Sequence, residues 1–239
     1  MPSTLIVRAT PLSRDLRPHR DMNFCYWLGT TRLYSASRVI RDLGLKPDYG
    51  GADPTVIHRA ACRGKLTESY CYPLIRGVPV TVRSRHCGSL QPDVSARVRA
   101  CFRWMERYQP RFADAQGIVF SAEHRIAWQR DLRVWIDGTL WLVDIKCTSK
   151  AEKDWPLQLG CGLSYDEDGC NNAAILHLNP KLNKDGFRWI NKWSGTQLKS
   201  WWAKAVTHWH SRYQFNQLKA DLGFDAEAIG LEIEDDSDI

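Results

Sequence analysis

Apolar and polar positions change period several times along the chain, and each change marks an element. In Ser35–Leu43, Val39 and Leu43 stand four apart with Ile40 beside them, which predicts a short helix. Pro47 to Pro54 is rich in Gly, Pro and Asp and predicts a loop. Val56–Tyr70 predicts a second helix. Pro92–Gln109 predicts a clearer one, with Val94, Val98, Cys101, Phe102 and Met105 as its apolar stripe. From Ile118 to Lys146 the residues alternate and aromatics are frequent, which predicts three strands: Ile118–Gln129, Asp131–Ile136 and Thr139–Lys146. Trp155–Leu163 predicts a helix, and the apolar run Ala173–Leu178 a buried strand. Ser194–Leu218 predicts the last helix. Ser194 and Gln197 have capping-box spacing, and Leu198, Trp201, Trp202, Ala205 and Trp209 form its apolar side. This order of elements implies an α/β or α+β domain built on a mixed sheet.

Asp137-Gly138, between two alternating runs, is a strong signal for a two-residue hairpin turn. Such a turn sets the register. Ile136 faces Thr139, Val134 faces Trp141, Asp131 faces Asp144 and Gln129 faces Lys146. Alternation then puts Leu132, Val134, Ile136, Trp141, Val143 and Ile145 on one face, a core face. Asp131, Asp144 and Lys146 share the other, with Arg133, Leu142 and Trp135 nearer the turn. Directly opposed carboxylates lie roughly 5 Å apart at Cβ and repel. A divalent cation between them removes the repulsion, and Mg²⁺ is commonly held by one or two carboxylates plus substrate phosphate oxygens. In the competing arrangement the acids lie at a solvated end of the hairpin, each bridged to Arg130 or Arg133. The register would also fail if the loop held an odd number of residues. Asp-x-Lys by itself is too common to count as a motif.

Composition changes the picture in one respect. The 239 residues, 44% hydrophobic with 11 Trp, suffice for the core of one large domain. The net charge of +6, however, is the sum of two opposite regions. Asp221 to Ile239 holds eight acids and no Lys or Arg, so residues 1–220 carry 19 acids against 33 bases, or +14. The expected organisation is an N-terminal arm over residues 1–34 (1–24 rich in Arg and Pro), one domain over 35–220, and an acidic tail over 221–239. So basic a body suggests a polyanionic partner, with nucleic acid the default. Arg99, Arg103 and Arg107 recur four apart on one helix and are a candidate phosphate track, although such a row is most often a solvated surface.

Other classes recede. No apolar run approaches the roughly 20 residues of a membrane span, so no membrane partner is expected. Met1 to Asn23 has scattered charges and no apolar core, so no secretory signal is expected there. The eight cysteines include no C-x-x-C, which argues for thiols in a reducing, cytoplasmic compartment and against a zinc site. No Walker A pattern surrounds Gly64-Lys65, and His208 and His210 fall on different faces of a helix.

The stretch Asp131 … Asp144-Ile145-Lys146, followed by Gln158 in a helix, resembles the PD-(D/E)XK nuclease superfamily. Within it the resemblance is to the RecB-like exonucleases of recombination, CRISPR-associated and phage proteins. Upstream, Ser35-Ala-Ser-Arg-Val-Ile-Arg-Asp-Leu-Gly44 and Ala60-Ala-Cys-Arg63-Gly64-Lys-Leu-Thr-Glu68 are similar to the opening of phage members. Ser121-Ala-Glu123 resembles the acid of the first sheet strand, and Ala174–Leu178 the strand after the Gln helix. The likeness runs roughly from Ser35 to Trp193. It implies a restriction-endonuclease-like core, a central mixed sheet flanked by helices. It implies metal ligands at Asp131 and Asp144, with the Ile145 carbonyl and Glu68 as further ligands, and Mg²⁺ or Mn²⁺ as the ion. It gives Lys146 the attacking water or the phosphate charge, Glu123 a place at or behind the metal, and Gln158 a positioning role or a contact with DNA. Arg63 joins the three helical arginines as a DNA-binding candidate. The implied activity is a metal-dependent DNA nuclease, an exonuclease of recombination, repair or phage DNA processing, located in the host cytoplasm if phage-encoded. A second copy of the chain or a recombination protein is a candidate partner. The rival is a catalytically inactive DNA-binding module on the same fold, and beyond it a protein with no nucleic-acid role. Two positions depart from the family pattern: Trp128 stands where a Gly is usual, and Gly162 where a Tyr is usual, with Tyr165 three further on.

Overall fold

A computed structural model describes residues 18–20, 25–46 and 51–222, with side chains up to residue 214. The described chain opens with three short strands, β1 (His19–Arg20), β2 (Tyr26–Leu28) and β3 (Thr31–Ser35). Helix α1 (Ala36–Asp42) begins where the Ser35 hydroxyl accepts the Arg38 N–H at 3.1 Å, a side-chain N-cap. Helix α2 (Pro54–Ile75) is capped by Asp53, opens on a proline and continues past Tyr70 through Pro73. The single turn α3 (Ser84–Cys87) leads to α4 (Gln91–Tyr108). Five strands follow: β4 (Arg111–Ala115), β5 (Ile118–Ser121), β6 (Ile126–Gln129), β7 (Leu132–Ile136) and β8 (Thr139–Lys146). The remainder is α5 (Trp155–Ser164), β9 (Asn172–Leu178), β10 (Phe187–Ile190) and α6 (Gly195–Leu222). Ser194 Oγ accepts the Gln197 N–H at 3.1 Å at the start of α6, as its spacing predicts.

The fold is mixed α/β, with two sheets in place of one central sheet. Their orders are β1-β2-β3-β6-β5 and β10-β9-β8-β7-β4. The β3–β6 and β8–β9 pairs are parallel and the other pairs antiparallel. The expected strand Ile118–Gln129 is two strands, because a turn over residues 122–125, with Arg125 at φ 54°, folds β5 against β6. Gln129 consequently faces Ile118 and not Lys146. The chain passes from the first sheet to the second at Arg130-Asp131. Part of the expected arm is docked, since β1 pairs with β2. Residues 1–17 and 21–24 of the arm, 47–50 of the expected loop, and 223–239 of the acidic tail lie outside the described residues.

The β7–β8 hairpin has the expected register, with Ile136 opposite Thr139 and Val134 opposite Trp141. Asp137 and Gly138 both take positive φ, 50° and 73°, the combination a type I′ turn demands. Both faces of this sheet are covered. Leu132, Val134, Ile136, Val143 and Ile145 pack with Leu176 and Leu178 against α2 and α4, around the fully buried Trp104. On the other face, Leu142 and Ile175 meet Trp155 and Leu159 of α5, Trp202 and Trp209 of α6, and Ile40 of α1. Full burial of such large side chains contributes about 1.5–3 kcal/mol apiece. Asp144 and Lys146 follow Leu142 on that second face, beside the first turns of α5.

Candidate active site

Asp131 stands just before β7, and its side chain completes the edge that the hairpin ladder leaves open. Its Oδ2 accepts the backbone N–H of Ile145 at 2.8 Å. Asp144 is buried, 3% exposed, and its Oδ2 lies 2.6 Å from Lys146 Nζ. Glu68, in the second half of α2, brings a third carboxylate within electrostatic reach of the other two. Burial, reinforced by the charges of Asp144 and Glu68, holds the Asp131 carboxyl well above the usual carboxylate range. Burial and the Asp144 charge push the Glu68 carboxyl up to about 7. Burial disfavours the Lys146 ammonium, yet the surrounding Asp144, Asp131 and Glu68 outweigh it and hold Lys146 charged beyond an ordinary lysine.

Gln158 of α5 enters the same cluster. Lys146 Nζ donates to Gln158 Oε1 at 2.8 Å, and Gln158 Nε2 donates to Asp154 Oδ2 at 2.8 Å. Two residues here escape a reading of the sequence, Asp154 and Tyr72. The Tyr72 hydroxyl faces Asp131, and burial with the nearby acids raises its pKa. Helical spacing holds the signal for both, since Asp154–Gln158 and Glu68–Tyr72 are i, i+4 pairs.

Other candidates lie elsewhere. Glu123 is exposed in the β5–β6 turn, at the opposite end of β6 from Asp131, and is not brought into the cluster. The reason is the unforeseen turn, which reverses the chain at that acid. The helical arginines sit on α4, which packs against the Val143/Ile145 face of the sheet, whereas Asp144 is on the other. Arg103 Nε donates to the Asp185 carbonyl at 2.7 Å and Arg107 pairs with the Asp185 carboxylate at 2.8 Å, so both hold the β9–β10 loop. Arg99 is exposed. Arg63 pairs with Asp93 at 3.4 Å. Ile145 itself packs in the core, and its N–H is the one that binds Asp131.

The arrangement in which Arg130 and Arg133 neutralise the opposed acids is absent. Arg130 pairs with Asp114 at 3.1 Å and Asp166 at 3.4 Å. Arg133, 8% exposed, binds Asp114, Asp166 and Asp168. Lys146 is therefore the close counter-charge to Asp144.

Among the described residues no three His, Cys, Asp or Glu side chains are grouped so that they could hold a metal ion together. The donor chemistry still suits a hard divalent ion. Mg²⁺ commonly takes only one or two carboxylates and completes its shell with water and phosphate oxygens. Asp131 and Asp144 supply two, and Asp144 Oδ2, buried with an ion-pair neighbour, accepts no aligned hydrogen bond. Glu68 couples to both electrostatically but does not join them as a third ligand.

The two departures from the family pattern meet in space. A Cβ on Gly162 would overlap the Trp128 ring and the Leu142 side chain. The large residue at 128 on β6 thus needs the small one at 162 on α5.

No family model matches the chain, and no curated protein matches it. Among solved structures it is similar to the alkaline exonuclease LHK-Exo from Laribacter hongkongensis, at 14% identity and a TM-score of 0.40, over 80% of this chain and 93% of that one. It is likewise similar to LHK-Exo in complex with dAMP, at 14% identity and a TM-score of 0.41, with the same coverage. Likeness at this distance says nothing of chemistry, which rests on the residues themselves.

Proposed function

We propose that the chain is a divalent-metal-dependent DNA nuclease. The observation that carries this reading is the gathering of Asp131, Asp144 and Glu68 around Lys146, while Arg130 and Arg133 are engaged elsewhere. Lys65 also reaches Glu68 electrostatically, and perturbed carboxyls clustered beside a lysine are a candidate functional site. Hydrolysis of a phosphodiester needs an activated water, neutralised phosphate charge and a stabilised leaving oxygen. A bound Mg²⁺ or Mn²⁺ supplies Lewis acidity and lowers the pKa of a coordinated water. Asp131 and Asp144 would hold it, with Glu68 coupled to both electrostatically. Asp131 is held by the Ile145 N–H, and the Tyr72 hydroxyl faces the same carboxylate. Lys146 remains charged and places an ammonium beside the carboxylates, where a phosphate oxygen or the attacking water would be oriented. Gln158 keeps that ammonium from swinging away.

The RecB-like resemblance extends the reading to exonuclease action in recombination, repair or phage DNA processing, and the basic body suits a phosphate backbone. The test is cleavage of labelled linear and circular DNA with Mg²⁺, Mn²⁺ or EDTA. Degradation of the linear form alone by wild type, abolished in EDTA and in Asp144→Ala, is the expected result. Cleavage of both forms would make it an endonuclease. Salt-dependent DNA binding without cleavage would instead identify a non-catalytic DNA-binding module.

A further inference from the structure

Asp154 occupies the N-cap position of α5. An Asp there ordinarily accepts a backbone N–H of the first turn. Here the side chain makes no such bond, although the residue is only 1% exposed. Its Oδ2 instead accepts Gln158 Nε2 at 2.8 Å, and its Oδ1 has no hydrogen bond at all. Outside α5, Lys46 is a cation within its electrostatic reach. A buried carboxylate that forgoes its local cap and leaves one oxygen unpaired is costly to keep. What it gains is control of one amide.

We propose that Asp154 is a positioning residue for DNA cleavage, which fixes the Gln158 amide so that its oxygen meets Lys146. This rests on the nuclease reading above. The reasoning is one of donor and acceptor inventory. A carboxylate only accepts, whereas the Gln158 amide has a donor end and an acceptor end. With its NH₂ on Asp154, Gln158 must offer Oε1 to Lys146, as the 2.8 Å contact shows. An amide turned the other way would set NH₂ against the ammonium. Lys146 has three N–H donors. Gln158 takes one by a hydrogen bond and Asp144 lies beside the ammonium as its ion-pair neighbour, so an N–H would be offered to a phosphate oxygen or the attacking water. Asp154 therefore acts on the reaction through Gln158 and Lys146, without touching substrate.

The experiment compares wild type, Asp154→Ala, Gln158→Glu and the double variant Asp154→Asn/Gln158→Glu. Each is checked by thermal unfolding and by calorimetric titration with Mn²⁺. Asp154→Ala is expected to lower kcat at least tenfold, with KM for DNA within about twofold and Mn²⁺ affinity unchanged. Gln158→Glu sets two carboxylates against each other and is expected to be impaired as well. The double variant reverses the polarity of the contact. An asparagine amide at position 154 would donate to a glutamate carboxylate at position 158, which still accepts from Lys146. The double variant is expected to recover to within about threefold of wild type. A merely structural role for Asp154 has no reason to be rescued by this exchange. An Asp154→Ala protein with wild-type kcat, a change confined to KM or Mn²⁺ affinity, or a double variant no better than Gln158→Glu overturns the proposal. Should Asp154→Ala fail to fold, the comparison of Gln158→Glu with the double variant decides alone. Wild-type protein that cleaves no DNA with either metal ends the nuclease reading itself, a separate outcome.

Discussion

The carboxylate cluster makes a measurable demand on the metal-free fold, and Glu68 gauges it. Burial and the Asp144 charge push its carboxyl from 4.5 up to about 7. The folded chain then keeps a proton on Glu68 that the unfolded chain releases above about 4.5. Metal-free stability therefore falls as pH rises from about 4.5 to about 7 and levels off above that. The displacement corresponds to on the order of 3 kcal/mol. Because Glu68 is half-buried, water reduces the effect, and about 1–3 kcal/mol is expected. Glu68→Gln keeps the shape and removes the charge. In EDTA at pH 8 the variant should be more stable than wild type by that amount, at about 2–4 °C in Tm per kcal/mol for a chain of this size. At pH 5 the advantage should shrink, since wild type then carries the proton itself. Urea or thermal unfolding across pH 5–8 measures both. Excess Mg²⁺ should narrow or invert the difference by stabilising wild type more. A Glu68→Gln protein no more stable than wild type at pH 8 in EDTA, or one with the wild-type pH slope, would falsify the account of mutual repulsion.

Other residues lend themselves to simpler tests. Gly162→Ala should cost about 1–3 kcal/mol by overlap with Trp128, and Trp128→Leu should partly relieve it, giving a double variant better than the two losses combined. Arg133→Ala removes one of the two arginines that Asp114 and Asp166 share, leaving Arg130, and should cost about 1–3 kcal/mol in chemical unfolding. Removing residues 225–239 should tighten DNA binding at low salt in a fluorescence-anisotropy titration if the acids compete with DNA. Unchanged affinity would leave the tail a solubility feature.

The hairpin is legible in the sequence because two independent signals agree there. Asp137-Gly138 names the turn, and alternation on either side names the faces. Asp131, Asp144 and Lys146 come together from that register, whereas Gln158 enters only through the family resemblance. What stays hidden depends on pairing at a distance. The strands β2, β3, β4 and β10 are short, and their sequences alternate too briefly to stand out before a neighbour is known. The turn at residues 122–125 has no Gly or Pro to announce it, so the sequence reads as one continuous strand through Glu123. Asp154 reads as a loop residue because its meaning lies in the amide of Gln158 and the ammonium beyond. The arginine row of α4 has the right spacing, but a helix cannot state which sheet face it covers or that Asp185 will take two of its members.

Strand β8 carries the site and the core on alternate residues, and this couples their tolerance of insertions and deletions. One residue gained or lost in the hairpin would exchange the two faces. Val143 and Ile145 would enter the carboxylate cluster, while Asp144 and Lys146 would be driven into the packing around Trp104. Such a lineage loses the folded protein together with the chemistry. It cannot drift into a stable chain with a merely misaligned site. An odd-numbered shift of β8 against β7 is thus excluded, whereas a longer turn that keeps the register leaves both faces in place.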